Sequence, residues 1–391
     1  MKKTLIALTL AALPVASMAE VTLYGNIKGG AEFTKVKGVS NTITNVNDWS
    51  SKIGFKGEED LGNGLKAIWQ LEQKVSIDSK HKNNTQGWAD RDSFIGLDAG
   101  TFGKVRAGYL SDAINDMGDL NLDGSDHGVR KLQLWERTGG RHTAVRYDSA
   151  NFGGLSFNVL YSPEDNQRYD QARDAGVKDV AGFEKANGIA NKLPGGKAGD
   201  EDITIPAVLN GATRNSWATS VGVNYAIAGF FVKYGYLHQN DKHGLYNSNV
   251  HRLMAGYDAS NLFVGLGYQY AKGYDGPKHE TNELALSAAY RLGNVVPRIS
   301  YVHGFKEKGY REDGTRGKLA NSKYHQVVLG ADYNLSKRTT VIASLGWMKE
   351  GAGRQADYIG LVPDGTDAAG NAQYKKSEQA YSFGLGLSHK F

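Results

Sequence analysis

Acidic side chains concentrate in one segment of the chain, residues 110–142. Besides Glu136 it carries five aspartates: Asp112, Asp116, Asp119, Asp123 and Asp126. Fixed carboxylates attract cations, and they do so most strongly where the surroundings are narrow and poorly hydrated. The residues alone are equally compatible with a solvated surface loop.

Basic side chains occur in stretches where apolar residues recur at every second position. Between residues 65 and 74, for example, Ala67, Trp69 and Leu71 alternate with polar or charged residues. In a strand, such alternation places the two sets on opposite faces. The same parity turns seven cations away from the apolar face: Lys28, Lys56, Lys66, Lys74, Lys104, Arg106 and Arg146. Arg91 shares the parity of Ile95, which predicts it on the apolar face unless a bulge intervenes.

Carboxylates facing cations across a narrow polar passage would set up an electric field within it. Small polar solutes and ions can keep or exchange their hydration in such a field, whereas large or apolar solutes would have to displace ordered water. Because the cations favour anions and the carboxylates favour cations, the ion preference stays open.

The chain lacks the motifs of common enzymes. GxSxG, HExxH and GxxxxGK[ST] do not occur in the sequence. There are no cysteines, which excludes disulfides, thiol catalysis and zinc-thiolate sites. His238 and His243 lie near a predicted loop tip, where a solvated role is favoured over a metal site. We therefore predict no enzymatic activity, no cofactor and no metal.

Short and long connections alternate strictly between the periodic stretches. Seven are tight, for example LGNG after Asp60 and IAG after Ala226. Eight are longer, near residues 37–47, 79–89, 110–142, 163–214, 240–248, 273–278, 306–321 and 350–376. Fifteen connections join sixteen strands, with both chain ends on the short-turn side. This plan predicts an all-β, 16-stranded antiparallel transmembrane barrel, apolar outside and polar inside.

Aromatic residues mark one end of the predicted strands. A tyrosine precedes five of the short turns: Tyr147, Tyr225, Tyr257, Tyr290 and Tyr333. Rings with a polar edge favour the interface between membrane and water, so these tyrosines are predicted to form a belt. The closing stretch, AYSFGLGLSHKF, alternates up to Phe391, which is predicted at the same level.

The N-terminus and the composition indicate an exported protein. Residues 1–19 combine Lys2 and Lys3 with an apolar run and end on Ala19, the pattern of a cleaved secretory signal peptide. The remainder has 44 basic and 41 acidic residues, without the concentrated basic face of a nucleic-acid binder. The mean hydropathy is −0.46, and after residue 19 no apolar run is long enough for a spanning helix. Residues 20–391 are predicted to form a single barrel domain.

Six stretches along the chain carry a family resemblance. They are IGFKGEEDLGNGLKAIWQLEQ (53–73), RDSFIGL (91–97), VRYDSANFGGLSF (145–157), VPRISYVHGF (296–305), ADYNLSKRT (331–339) and the C-terminal LSHKF. Taken together they resemble the trimeric general porins of the Gram-negative outer membrane, and most closely the Neisseria-type porins. The resemblance implies a homotrimer, a third external loop (110–142) folded into the pore as a constriction, and a terminal Phe391 read by the barrel-assembly machinery. The fourth loop, 163–214, is unusually long for the family.

On that resemblance, the expected function is passive diffusion of small hydrophilic solutes and ions through a water-filled pore in the outer membrane. Two alternatives stay open. A substrate-specific sugar channel would carry a slide of aromatic rings in its lumen, whereas most rings here face outward by parity. A secreted soluble β protein, such as an adhesin or a hydrolase, would instead bury its apolar faces in a core.

Overall fold

Alternation of apolar and polar residues gives the chain long strands and few helices. The structure, a computed structural model, describes residues 20–78, 87–118, 120, 138–163, 216–242, 246–274, 278–311, 314–354, 361–366 and 372–391. The predicted signal peptide, residues 1–19, lies outside this part of the chain. No helix among these residues has the length and apolar character needed to cross a membrane.

Twenty-one strands and one short α-helix are described, numbered here in chain order. The helix, α1, is Ala113–Met117. The strands are β1 Glu20–Val36, β2 Ile43–Asp48, β3 Lys52–Gly62, β4 Leu65–Lys74, β5 Ser93–Asp98, β6 Lys104–Ser111, β7 Arg141–Asp148, β8 Leu155–Ser162, β9 Ala218–Ile227, β10 Phe230–Lys242, β11 Tyr246–Ala259, β12 Leu262–Lys272, β13 Glu280–Tyr290, β14 Val295–Gly304, β15 Lys308–Tyr310, β16 Arg316–Lys318, β17 Tyr324–Asn334, β18 Thr339–Glu350, β19 Leu361–Thr366, β20 Ala372–Lys376 and β21 Gln379–Lys390.

Sixteen of these strands close into a barrel. They are β1, β3 to β14, β17, β18 and β21, and each pairs antiparallel with the next. The last strand returns to the first, with Asn26 opposite Lys390 and Val36 opposite Ala380. The predicted 16-stranded antiparallel barrel is confirmed.

The two faces of the barrel strands differ as the alternation predicts. Along β12, Val264, Leu266 and Tyr268 are exposed on the outside, while Phe263 and Gln269, at alternate positions, are buried inside. The closing strand β21 behaves in the same way, because its apolar residues Tyr381, Phe383, Leu385 and Leu387 are all exposed. Large apolar side chains therefore cover the outer surface.

The connections follow the predicted alternation, with local differences. The β9–β10 turn consists of Ala228 and Gly229, both at positive φ, the backbone that a tight two-residue hairpin requires. The predicted connection 37–47 proves to contain most of β2, which pairs with β1 from Gly29 to Thr34. A hairpin of β15 and β16 lies within 306–321, and β19 pairs with β20 within 350–376. Some long connections thus contain further strands: β2, β15 and β16 extend the barrel sheet, and β19 and β20 form a separate two-stranded sheet.

Candidate functional site

Asp112 holds together the two ends of the segment 110–142. It is fully buried, and its carboxylate caps α1 by accepting a hydrogen bond from the N–H of Asn115 at 2.7 Å. Its other oxygen accepts a hydrogen bond from the N–H of Gly140 at 2.7 Å and lies 3.0 Å from Nε2 of His142. The structure therefore places Asp112 at the base of the inserted segment, without solvent exposure.

The apolar side of the inserted segment lies on the inner wall of the barrel. Ile114 is buried against inward side chains of β10, β11 and β12. Met117 lies over Gly235, where an added Cβ would be only 2.7 Å from Sδ. Leu120 covers Gly265 so closely that a Cβ there would overlap its side chain. Glycine at these two positions gives the segment room to pack directly on the wall.

Arg252 on β11 bonds the inserted segment to the wall. Its Nη1 donates to the carbonyl oxygens of Ile114 at 3.1 Å and Gly118 at 2.9 Å, which are groups at the C-terminal end of α1 that the helix itself does not satisfy. Its Nε donates to Oε1 of Gln269 at 2.8 Å, and Thr138 donates to the same oxygen at 2.9 Å. Both ends of the segment therefore meet on β11 and β12.

A row of inward polar residues continues across the neighbouring strands. Arg252 stands opposite Gln269, and Gln269 opposite Glu283. Gln269 donates to Oε2 of Glu283 at 2.9 Å, and the Tyr324 hydroxyl donates to the other carboxylate oxygen. Sequence reasoning missed this row. Its signal was a polar residue at the same inward level of three consecutive strands, which becomes visible only once their register is known.

Arg146 on β7 joins the acidic segment to the basic wall. Its Nη1 lies 2.5 Å from Oδ2 of Asp116 on α1, and its Nη2 lies 2.7 Å from Oδ1 of Asp148. Asp148 also accepts a bond from Nη2 of Arg106 at 2.6 Å. Arg106 and Arg146 are direct cross-strand neighbours, a repulsive arrangement that the shared carboxylate offsets. Asp116 is thus in contact with a wall cation, not facing it across a gap.

The pKa of Asp116 responds to two opposing influences. Enclosure inside the barrel raises it, because burial penalises the charged form. The Arg146 guanidinium acts in the opposite sense, and the net pKa lies above the ordinary aspartate value.

Two of the predicted wall lysines lie near the short-turn end and are paired with carboxylates. Nζ of Lys66 is 2.6 Å from Glu58, and both side chains are largely exposed. Nζ of Lys104 is 2.9 Å from Asp98, its partner across the β5–β6 ladder. Exposed pairs of this kind contribute little stability, but they keep charge along the inner wall.

The remaining predicted lysines also face inward. Lys28 is buried, and its backbone N–H donates to the Ser51 hydroxyl at 2.9 Å. Nζ of Lys56 lies 5.6 Å from the ring centroid of Tyr24. Lys74 ends β4, where its N–H donates to Asp90 at 2.7 Å. The seven predicted cations therefore share one half of the inner wall, from β1 to β7.

Arg91 also points inward, so the prediction that placed it on the apolar face is wrong. Its Nε lies 2.6 Å from Oε1 of Glu72, whose other oxygen is 2.9 Å from Nζ of Lys52. The reason is that β5 begins only at Ser93. The alternation read from Ile95 does not extend back to Arg91.

Asp92 forms a second polar junction beside it, which sequence reasoning also missed. Its Oδ2 lies 2.7 Å from Nε of Arg141, and its Oδ1 accepts a bond from the N–H of Ser111 at 2.8 Å. Burial would raise the pKa of Asp92, but Arg141 and the Ser111 hydrogen bonds outweigh it and hold the pKa below the ordinary value. This carboxylate connects the start of β5 to β6 and β7.

The predicted belt residues all lie at the short-turn ends of their strands. Tyr225, Tyr290 and Tyr333 are exposed on the outside, and Tyr147 and Tyr257 are half-buried beside neighbouring rings. Phe391 is 40% exposed. Its backbone pairs with Gly25, with N···O distances of 3.0 and 3.2 Å.

Several predicted residues fall outside the described part of the chain: Asp119, Asp123, Asp126, Glu136 and His243. His238 is described, with Nδ1 2.9 Å from Oδ1 of Asn249. Among the described residues, no group of three or more His, Cys, Asp or Glu side chains could hold a metal ion.

A closed barrel with a loop helix bonded to its inner wall can be compared with known proteins. The profile of the Gram-negative porin family matches residues 19–370. The chain belongs to this family. The major outer membrane protein P.IB of Neisseria sicca is 41% identical over 397 residues, covering 93% of this chain and 98% of that protein. The P.IB protein of Neisseria gonorrhoeae is 37% identical over 394 residues, covering 92% and 96%.

Solved structures show the same fold. An anion-selective porin from Comamonas acidovorans superposes with a TM-score of 0.63 at 20% identity, covering 95% of this chain and all of that one. OmpT of Vibrio cholerae, in its trimer form, gives a TM-score of 0.57 at 13% identity, covering 95% and 99%. From the family match and the P.IB relatives, the chain is an outer-membrane porin that serves as a general diffusion channel, as the sequence predicts.

Proposed function

We propose that this porin passes small hydrophilic solutes and ions passively and without chemical change, and that it catalyses no reaction. The observation that carries the proposal is the position of α1. The helix is bonded to β11 through Arg252 and to β7 through Arg146, so it narrows the lumen beside a wall lined with charge. Pore width and lining charge then decide passage.

The constriction in this proposal is formed by Asp116 on α1 together with Arg146, Arg106 and Asp148 on the wall. Lys28, Lys56, Lys66, Lys74 and Lys104 extend the charge along the same half of the lumen. Asp119, Asp123 and Asp126 remain predicted members, and Asp112 has a positioning role at the base of the segment. The field is local, since Asp116 and Arg146 are in contact, and the net charge beside the passage sets the ion preference.

We further propose a homotrimer in outer-membrane lipid, exported by the signal peptide 1–19 and inserted by the barrel-assembly machinery through Phe391. The trimer form of the OmpT relative and the exposed apolar outer surface support this assembly. In gel electrophoresis, an assembled trimer should resist detergent denaturation until heated. A soluble β protein would show no such shift in mobility.

Recording in a planar bilayer tests the proposal directly. Purified protein should give stepwise, stable conductance, and the reversal potential across a salt gradient should report the ion preference. Asp116→Lys should shift this potential toward anions and Lys66→Glu toward cations. A bilayer that stays without current would contradict the proposed function, and unchanged potentials in both variants would remove these residues from the passage.

A further inference from the structure

The lumen contains a cavity, apolar on one side and polar on the other, that general diffusion of hydrophilic solutes does not require. It has a volume of about 480 Å³ and lies under the inserted segment, toward the β9–β10 turn. Met117 and Leu120 line it from the segment, and Phe231, Met254 and Phe263 line it from the wall. The two phenylalanine rings are stacked, with centroids 6.2 Å apart and an interplanar angle of 14°. Such a volume falls within the range of small-ligand sites.

One cation stands beside this apolar surface. Lys233 lines the cavity, with Nζ 5.6 Å from the ring centroid of Phe231. It forms no ion pair with any residue in the described part of the chain. Among the described residues of the lining, Asp258 is the only carboxylate, and it is held 3.1 Å from Arg291. The uncompensated charge of the described lining is therefore positive.

We propose that this cavity is a binding site for small aromatic anions, in which Lys233 takes the carboxylate and the space beside Phe231 takes the flat ring. The transfer of an apolar ring from water to the phenylalanine and methionine surface has a favourable free energy. A carboxylate on that ring gains a charge-assisted hydrogen bond in surroundings less polar than bulk water. A simple inorganic anion has no apolar part, and an aromatic cation is repelled by Lys233. The site rests on the proposed function, since its ligand must enter through the pore.

The test is single-channel recording with 2-naphthoate as the probe. We expect transient blockades whose frequency rises with 2-naphthoate concentration. Acetate has the charge without the ring and 2-naphthylmethylammonium has the ring with the opposite charge, so neither should block. Lys233→Gln should weaken the block about tenfold, the loss of one charge-assisted bond. Phe231→Leu should weaken it roughly five- to tenfold through the lost ring contact.

Lys337→Gln is the control. Lys337 is exposed in the turn between β17 and β18, and it does not line the cavity. This variant should keep the block of the unmodified protein. Equal block in Lys233→Gln, or equal block by the naphthyl cation, would overturn the site. An open channel that 2-naphthoate never blocks overturns the site alone, whereas absence of any current overturns the proposed function and the site with it.

Discussion

The two halves of the inner wall carry different chemistry. From β1 to β7, excluding β2, inward positions hold paired charges such as Arg106 with Asp148 and Lys104 with Asp98. From β10 to β14 the polar row of Arg252, Gln269 and Glu283 is accompanied by apolar inward residues, several of them fully buried: Phe231, Met254, Phe263, Ala285 and Val302. The same alternation governs both halves, so it determines which residues face inward but not what they are. A barrel that is apolar outside is therefore not uniformly polar inside.

The difference is explained by what each half contacts. The apolar half holds the inserted segment, through Ile114 on β10 to β12 and Leu120 over Gly265. Burying these side chains stabilises the attachment of the inserted segment to the inner wall by roughly 2 kcal/mol for each large apolar residue. The charged half contacts the segment through polar groups, namely Arg146 with Asp116 and His142 with Asp112. One half thus positions the constriction, and the other supplies its charge.

Substituting Arg252, which bonds the inserted segment to β11, should have the largest effect on stability and on the open-channel current. Arg252→Met leaves the carbonyl groups of Ile114 and Gly118 and the Gln269 side chain without this donor, at a cost of about 3 kcal/mol. We expect a lower urea midpoint in detergent micelles and a noisier open-channel current, because the segment loses its bonds to β11.

Ile342→Ala is the control for this experiment. Ile342 is a buried side chain on β18, it belongs to neither of the apolar clusters that contain Ile114 and Leu120, and truncating a buried isoleucine typically costs about 2–5 kcal/mol. Its loss should lower the urea midpoint comparably while the open-channel current stays quiet. Equally quiet currents in both variants would show that Arg252 does not hold the segment.

Low pH should remove the contribution that Asp92, in the charged half, makes to the free energy of unfolding. The pKa of Asp92 is lowered in the folded barrel, so its stabilisation is complete above the ordinary aspartate pKa of about 4 and is lost as the pH falls through the lowered value. Asp92→Asn should cost roughly 2 kcal/mol at neutral pH, the typical worth of hydrogen bonds to a charged group. The difference from the unmodified protein should shrink toward zero in strong acid.

Urea unfolding at a series of pH values measures this dependence. Glu59→Gln serves as the control, since Glu59 is an exposed carboxylate on β3 and its loss should change the midpoint little at any pH. A constant difference between Asp92→Asn and the unmodified protein down to strong acid would contradict the assignment.

The sequence predicted the strand number, the faces and the alternation of connections, because each is a short-range pattern. It also placed Arg146 on the correct side of β7. It did not reveal that Asp116 touches Arg146 or that Gly265 makes room for Leu120, since these contacts depend on where a loop lands on strands distant in sequence. Arg91 was misplaced because the alternation was extended back beyond the first residue of β5, Ser93. Register and loop position are three-dimensional properties that one sequence does not contain.

Within the charged half, removing a cation should change the ion selectivity less the farther that cation lies from α1. An ion passing roughly 6 Å from one charge in water changes in energy by about 0.7 kcal/mol, or about threefold in partition. Arg146→Gln should therefore shift the permeability ratio toward cations by about that factor. Lys66 is exposed near the short-turn end beside Glu58, where water and salt screen beyond about 10 Å. Lys66→Gln should shift the ratio in the same direction by less than about half as much, and reversal potentials of equal size in both variants would show that α1 does not mark the narrowest point.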